Sequence, residues 1–315
     1  MTKTQLRIIY MGTPEFAVAP LKALVDNGFN VVAVVTGEDK PQGRGRKIMP
    51  TPVKEFAQSL GIPVMQPAKL KDETFQAELR SYNADLQVVV AFRMLPESVW
   101  AMPKLGTFNL HTAILPQYRG AAPINWAVIN GETKSGVTTF MLDHDIDTGR
   151  IMLKQEVDIL PEDNAGTLHD KLMVVGSDLV VKTVEMILSG NVKTIAQSDL
   201  IKPDTILKPA PKIFKEDCRL NFSKDGISIK NLVRGLSPYP TAFTTLKIKD
   251  KDMNLKVFAV DFEPSQGITE TGKVFTDNKT YIKISCSDGY IQLLDIQLEG
   301  KKRMGVVDFL RGMKL

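Results

Sequence analysis

Cysteine is nearly missing from this chain: Cys218 and Cys286 are the only two in 315 residues, far apart, with no C-x-x-C pair and no histidine spacing beside them. A zinc ribbon and a disulfide framework are therefore excluded, and a reducing, cytoplasmic setting fits. No cluster of His, Cys and carboxylate has ligand spacing, so no metal is expected. Long apolar runs are absent too. The opening MTKTQLRIIYMG carries only about five apolar residues in a row, too few for a signal segment, and no later stretch nears the roughly 20 of a membrane span. These absences predict a soluble, untargeted protein. Glycine is scarce where a dinucleotide site needs it: Gly12 stands alone in the first strand-to-helix turn, so G-x-G-x-x-G is missing, as is the phosphate loop G-x-x-x-x-G-K-[ST]. Nicotinamide-dependent redox chemistry and triphosphate-driven chemistry lose their main sequence support.

Length and composition point to two domains, since 315 residues at 43% hydrophobic can bury more than one core. Charge divides unevenly along the chain. Residues 1–200 hold 20 basic and 22 acidic side chains, whereas 201–315 hold 20 and 14, a net +6 in the shorter part. Such an excess suits a surface for a polyanion, or a lysine-rich solvated face.

Apolar runs at Leu6–Met11, Val31–Thr36, Asp85–Ala91 and Thr107–Leu110 read as strands, with helix-like segments at Phe16–Asn27, Thr51–Leu60 and Asp72–Tyr82 between the earlier ones. Alternation of this kind builds an open parallel sheet, and a run such as LQVVV suits a strand covered on both faces. The N-terminal part is expected to be α/β and Rossmann-like. Thr13 and Pro14 are placed to cap and begin the first helix. Gly166–Gly190 reads as a long helix. The proline-punctuated stretch from Lys202-Pro203 to Pro209-Ala210-Pro211 cannot propagate regular structure and reads as a linker. Beyond it, short alternating runs separated by turns such as Asp288-Gly289 suggest a small OB-like β-barrel. The expected division is 1–200, a linker at 201–211, and 212–315.

Chemistry concentrates in FNLHTAILPQY (108–118), followed by RGAAPINW and later HDIDTG. Asn109 and His111 are two apart on a strand, so both project to one face at the carboxyl edge of the sheet, where open α/β sheets bind ligands. Asp147 lies in a loop that can return a carboxylate to that edge. An amide to bind a developing oxyanion, an imidazole to move protons and a carboxylate to stabilise the imidazolium make an acyl-transfer set. The same Asn-x-His is also compatible with a satisfied polar pair ending a strand. His144 and His169 have no comparable setting and read as structural.

Over essentially its whole length the chain resembles the folate-dependent formyltransferase family, whose Asn-x-His, S-L-L-P and D-x-G-like pattern matches Asn109, His111 and Asp147. Ala113 and Ile114 depart from the Ser-Leu of that pattern, which removes a serine hydroxyl and leaves the three polar residues intact. The resemblance implies transfer of a formyl group from 10-formyltetrahydrofolate, with no metal, to the α-amine of methionyl initiator tRNA. It implies folate contacts along Leu115, Pro116, Gln117 and Tyr118, and a pteridine pocket lined by Phe92, Arg93, Met94 and Leu95.

The resemblance also singles out the insertion 37–53, GEDKPQGRGRKIMPTPV, whose Lys40, Arg44, Arg46 and Lys47 are expected to meet the tRNA as a flexible basic loop. In the C-terminal part, YPTAF and GKKRMGVVDFLRG match the family's OB-like domain, and Lys301, Lys302 and Arg303 are candidate tRNA contacts. The implied protein is a cytoplasmic monomer. Formylation of an amino sugar nucleotide or of glycinamide ribonucleotide by the same residues is the alternative reading, and a tRNA-binding protein without turnover is a third.

Overall fold

The computed structural model describes residues 1–42, 47–248 and 251–313. They form two compact units, one of Met1–Gly120, Ser135–Val157 and His169–Pro209, the other of Ala121–Lys134, Asp158–Leu168 and Ala210–Leu315.

The first unit begins β1 (Arg7–Gly12), α1 (Val18–Asp26), β2 (Asn30–Val35), β3 (Lys40–Gln42), β4 (Lys47–Met49), α2 (Pro52–Ser59) and β5 (Val64–Met65). It continues through α3 (Glu73–Ser81), β6 (Leu86–Val90), α4 (Glu97–Trp100) and β7 (Thr107–His111). After α5 (Pro123–Ile129), the sheet is completed by β8 (Lys134–Met141) and β9 (Ile151–Asp158) and followed by α6 (Ala165–Leu188). Its seven strands run β5-β2-β1-β6-β7-β8-β9. β1, β2, β5, β6 and β7 are parallel and β8 is antiparallel to β7, giving the Rossmann-like order with its switch point beside β1. LQVVV is buried at every position of β6, as a strand covered on both faces requires. Side-chain caps start α2 and α3: Thr51 accepts from Lys54 N at 3.1 Å and Asp72 from Phe75 N at 2.9 Å.

Thr13 does not cap a helix. A 3₁₀ turn at Glu15–Ala17, with Pro14 at its N-cap and no side-chain capping bond, precedes α1, and the Thr13 hydroxyl instead accepts from Gly37 N at 3.3 Å. Gly12 is required by close packing rather than by a phosphate: a Cβ there would lie 2.6 Å from the Ala17 Cβ.

In the second unit, α7 (Gly226–Leu236) packs on an antiparallel sheet of β10 (Ala242–Ile248), β11 (Lys251–Pro264), β12 (Val274–Thr276), β13 (Ile282–Cys286) and β14 (Gly289–Leu298). The order is β10-β11-β14-β13-β12, with β15 (Met304–Gly305) pairing β14 and leading into α8 (Val306–Gly312). This is the OB-like architecture expected. Its core gathers Ile229, Val233 and Leu236 of α7 with Leu255, Val257, Ile284 and Ile296 of the sheet. Residues 121–134 and 158–168 belong with this unit and not with the first. Asn125 Nδ2 donates to Gly235 O at 2.7 Å, and Arg234 Nε donates to Asp163 O at 2.7 Å. The two units therefore interleave along the chain instead of meeting at one cut within 201–211.

Candidate active site

β7 brings Asn109 and His111 to the carboxyl edge of the sheet, in register with Val89 of β6 and with Phe140 and Thr138 of β8. His111 is 6% exposed, while Asn109 is half-buried and its amide makes no hydrogen bond among the described residues. Its donors are free to meet a ligand.

His111 Nε2 lies 2.8 Å from the backbone oxygen of Tyr118. A carbonyl only accepts, so Nε2 carries hydrogen and Nδ1 of the neutral ring is a bare lone pair. That lone pair faces Asp147 Oδ2 at 3.9 Å. Burial holds the imidazole below its usual pKa; Asp147 and the Tyr118 carbonyl pull it back up, and Arg119 adds repulsion. The result is a neutral ring whose one open nitrogen points at a carboxylate.

Asp147 adopts the left-handed region, with φ 55. Its Oδ2 accepts from Gly120 N at 3.0 Å, and its backbone oxygen accepts from Gln197 Nε2 at 2.8 Å. The same Nε2 donates to Gly149 O at 2.9 Å, and Gln197 Oε1 accepts from Arg119 Nε at 3.0 Å and Nη2 at 2.6 Å. Gly149 admits no side chain, because a Cβ would lie 1.7 Å from Met141 O. Thr138, fully buried, donates to Ala113 O at 2.6 Å and accepts from Leu115 N at 3.2 Å, anchoring the segment that leads to Tyr118.

A formyl transferase family model matches residues 6–184, and a formyl transferase C-terminal domain model matches residues 212–314. The chain belongs to the formyl transferase family. A methionyl-tRNA formyltransferase of Parabacteroides distasonis is 52% identical over 316 residues, covering 100% of this chain and 98% of the relative. That of Phocaeicola vulgatus is 55% identical over 316 residues with the same coverage. A solved N-formyltransferase from Helicobacter canadensis, in complex with folinic acid and dTDP-3-aminofucose, has a TM-score of 0.65 at 20% identity, covering 96% of this chain and 100% of its own. At that identity the likeness is one of fold.

In this formyl transferase, Leu115 is fully buried against Phe140 and Ile151, so it offers a ligand only backbone. Pro116 is half-buried. Gln117 is committed to the chain itself, its Nε2 donating to Ile206 O at 3.1 Å and its Oε1 accepting from Lys208 N at 2.8 Å. Tyr118 N donates to Lys208 O at 2.7 Å. Of the other four, Leu95 packs in the core with Phe92 half-buried beside it, and Arg93 donates to the carbonyl oxygens of Ala68 and Pro67. Met94 is 76% exposed, the most available of these side chains.

The described flanks of the basic insertion are a hairpin, β3 paired antiparallel with β4, and Lys40 and Lys47 are exposed on it; Arg44 and Arg46 lie outside the described residues. The hairpin's root is pinned by Asp39, which accepts from Lys54 Nζ and Gln66 Nε2, each at 2.7 Å; these bonds hold its carboxyl below the usual range. In the second unit Lys301 and Lys302 are exposed, whereas Arg303 donates to Asp295 Oδ2 at 2.8 and 2.6 Å and covers the Phe258 ring.

His144 and His169 lie apart from these groups, edge-on to Trp100 and Phe16 respectively. Gln197, Arg119 and Thr138 escaped the sequence reading. Arg119 follows the LPQY segment directly, but nothing local marks Gln197, which reaches Asp147 from 50 residues away.

Proposed function

We propose that this chain transfers the formyl group of 10-formyltetrahydrofolate to the free α-amine of methionyl initiator tRNA, as a cytoplasmic monomer. The observation that carries the acceptor is full-length identity of 52% and 55% to proteins named methionyl-tRNA formyltransferase, spanning both family models. The observation that carries the chemistry is the convergence of Asn109, His111 and Asp147 at one sheet edge.

The folate supplies an already activated formyl carbon, and no residue of this chain has to act as a covalent nucleophile. Asn109 presents unpaired N–H donors to the formyl oxygen as negative charge develops on it. The attacking amine must shed a proton, and Nδ1 of the neutral His111 is the open acceptor. Asp147 then faces an imidazolium instead of a lone pair, an attraction that exists only after the proton arrives and so favours the transition state over the ground state. Returning that proton, directly or through water, allows the folate nitrogen to leave. Phe140, edge-on to His111 at 6.5 Å between centroids, keeps one side of the ring dry.

Lys40, Arg44, Arg46 and Lys47 serve the phosphates of the tRNA, together with Lys301 and Lys302. Arg303, paired with Asp295, contributes less. Backbone around Leu115–Tyr118 and the side chains of Phe92 and Met94 serve the folate. The test is transfer of labelled formyl from 10-formyltetrahydrofolate to methionyl initiator tRNA, beside methionyl elongator tRNA and an amino sugar nucleotide. Formylation of the initiator alone supports the proposal, and transfer to the sugar alone overturns it.

A further inference from the structure

Gln197 is 3% exposed and spends every polar atom inside the site. Its Oε1 takes two N–H groups of Arg119, and its Nε2 serves the backbone oxygens of Asp147 and Gly149. Those two carbonyls flank the left-handed turn that aims the Asp147 side chain at His111. The amide also stands between a guanidinium and the Asp147 backbone, so Arg119 is bonded to a neutral acceptor.

We infer that Gln197 is the positioning residue of the reaction: it fixes the Asp147 turn and holds Arg119 off the carboxylate, leaving Asp147 to His111. The inference rests on the proposed roles of His111 and Asp147. An apolar side chain of equal length removes both services. The carboxylate then swings out or pairs with Arg119, and in either event His111 loses the group that stabilises its protonated form.

Two measurements on Gln197→Met test this. The first is the kcat against KM split in formyl transfer. A displacement of about 1 Å at a reacting group costs on the order of 100-fold, so kcat should fall by that factor while KM for folate and for tRNA stays within about twofold. The second needs no substrate: the ring resonances of the three histidines are titrated by NMR. The groups facing His111 are Asp147, Arg119, the Tyr118 carbonyl and the uncharged Phe140 ring. Loss of the Asp147 contact moves the His111 titration to lower pH. A general loosening of the fold leaves that titration in place or moves it toward the solvent value, in the opposite direction.

Wild-type kcat with an unmoved His111 titration overturns the inference. Should Gln197→Met fail to fold, Gln197→Glu decides by kcat alone, because it keeps the volume and the Arg119 pair while losing both N–H donors, and its added charge itself moves the His111 titration: a kcat lowered about 100-fold at unchanged KM supports the inference, and wild-type kcat overturns it. Asp147→Ala separates the layers. If it abolishes transfer while both Gln197 variants are neutral, the positioning role fails and the site stands; if it is active, the reading of the site itself fails.

Discussion

Replacing Asp147 by Asn isolates the charge from the shape. The asparagine keeps an oxygen for Gly120 N, which now lies 3.0 Å from Oδ2, and it can keep the same left-handed backbone, which Asn tolerates well. What changes is the partner of His111. Two unit charges at 3.9 Å attract by about 4 kcal/mol at an effective dielectric of about 20, a ceiling for the stabilisation of the imidazolium. At about 1.4 kcal/mol per tenfold, that ceiling is roughly three decades in rate. Side-chain exposure of 14% at Asp147 admits some screening, so the expected loss in kcat is about 100- to 1,000-fold. Single-turnover transfer of labelled formyl at saturating folate and tRNA reads the chemical step alone. The His111 resonance should titrate at lower pH than in the unmodified chain. Activity within tenfold of wild type, or a His111 titration moved upward, would refute the assignment of Nδ1 as the working nitrogen.

Three further outcomes are expected. Asn109→Ala should lose about 100- to 1,000-fold in kcat, the usual cost of one oxyanion donor, with a near-normal melting temperature because the amide has no partner among the described residues to lose; calorimetry beside the kinetic assay checks both. Lys40→Ala and Lys47→Ala should each weaken tRNA binding and lower the slope of log K against log salt by about one, with the folate KM unchanged, as read by filter binding across a salt series. Burial lowers the His111 pKa in the folded chain, so the unfolded chain binds the proton more readily; its contribution to stability is complete above the unfolded pKa of about 6.5 and is lost as pH falls toward the folded value. Urea unfolding of His111→Gln should therefore show a flatter loss of stability between about pH 7 and pH 5 than the unmodified chain.

The parts of this molecule that were legible in the sequence are those fixed by short-range patterns. The near-continuous apolar run LQVVV suits a strand covered on both sides, and the i, i+2 placement of Asn109 and His111 follows from strand geometry alone. Thr51 and Asp72, the first residues of two helix-like segments, cap those helices. Thr13 had the same local credentials and failed, because Gly37 N competes for its hydroxyl across the sheet. Helix α7 went unread beside the strand-like runs around it, although Ile229, Val233 and Leu236 bury one face at helical spacing. The grouping of 121–134 and 158–168 with the C-terminal sheet rests on Asn125, Asp163 and Arg234, partners separated by 110 and 71 residues. Gln197 is the extreme of the same difficulty: an ordinary glutamine at the start of a single 3₁₀ turn, Gln197–Leu200, visible only once the turn at Asp147 is beside it.

Two of the residues facing the imidazole, Tyr118 and Asp147, are non-glycine residues in left-handed backbone, at φ 59 and φ 55. Such a conformation costs about 1–3 kcal/mol for a bulky side chain and persists only where surrounding bonds over-determine it. Each is over-determined here. Tyr118 is tied through its N–H to Lys208 and through its carbonyl to His111, and Asp147 through its carboxylate to Gly120 and its carbonyl to Gln197. The bonds that hold the strained turns are also the bonds that choose the imidazole tautomer and aim the carboxylate. A single relaxed turn would therefore release the neighbouring bond as well, since Tyr118 must carry its carbonyl away from Nε2 if it returns to an extended backbone. The ring would then be free to flip and to protonate at either nitrogen. On this reasoning the strain is the reason a neutral histidine keeps Nδ1 bare in front of a carboxylate, an arrangement no pair of freely rotating side chains would choose.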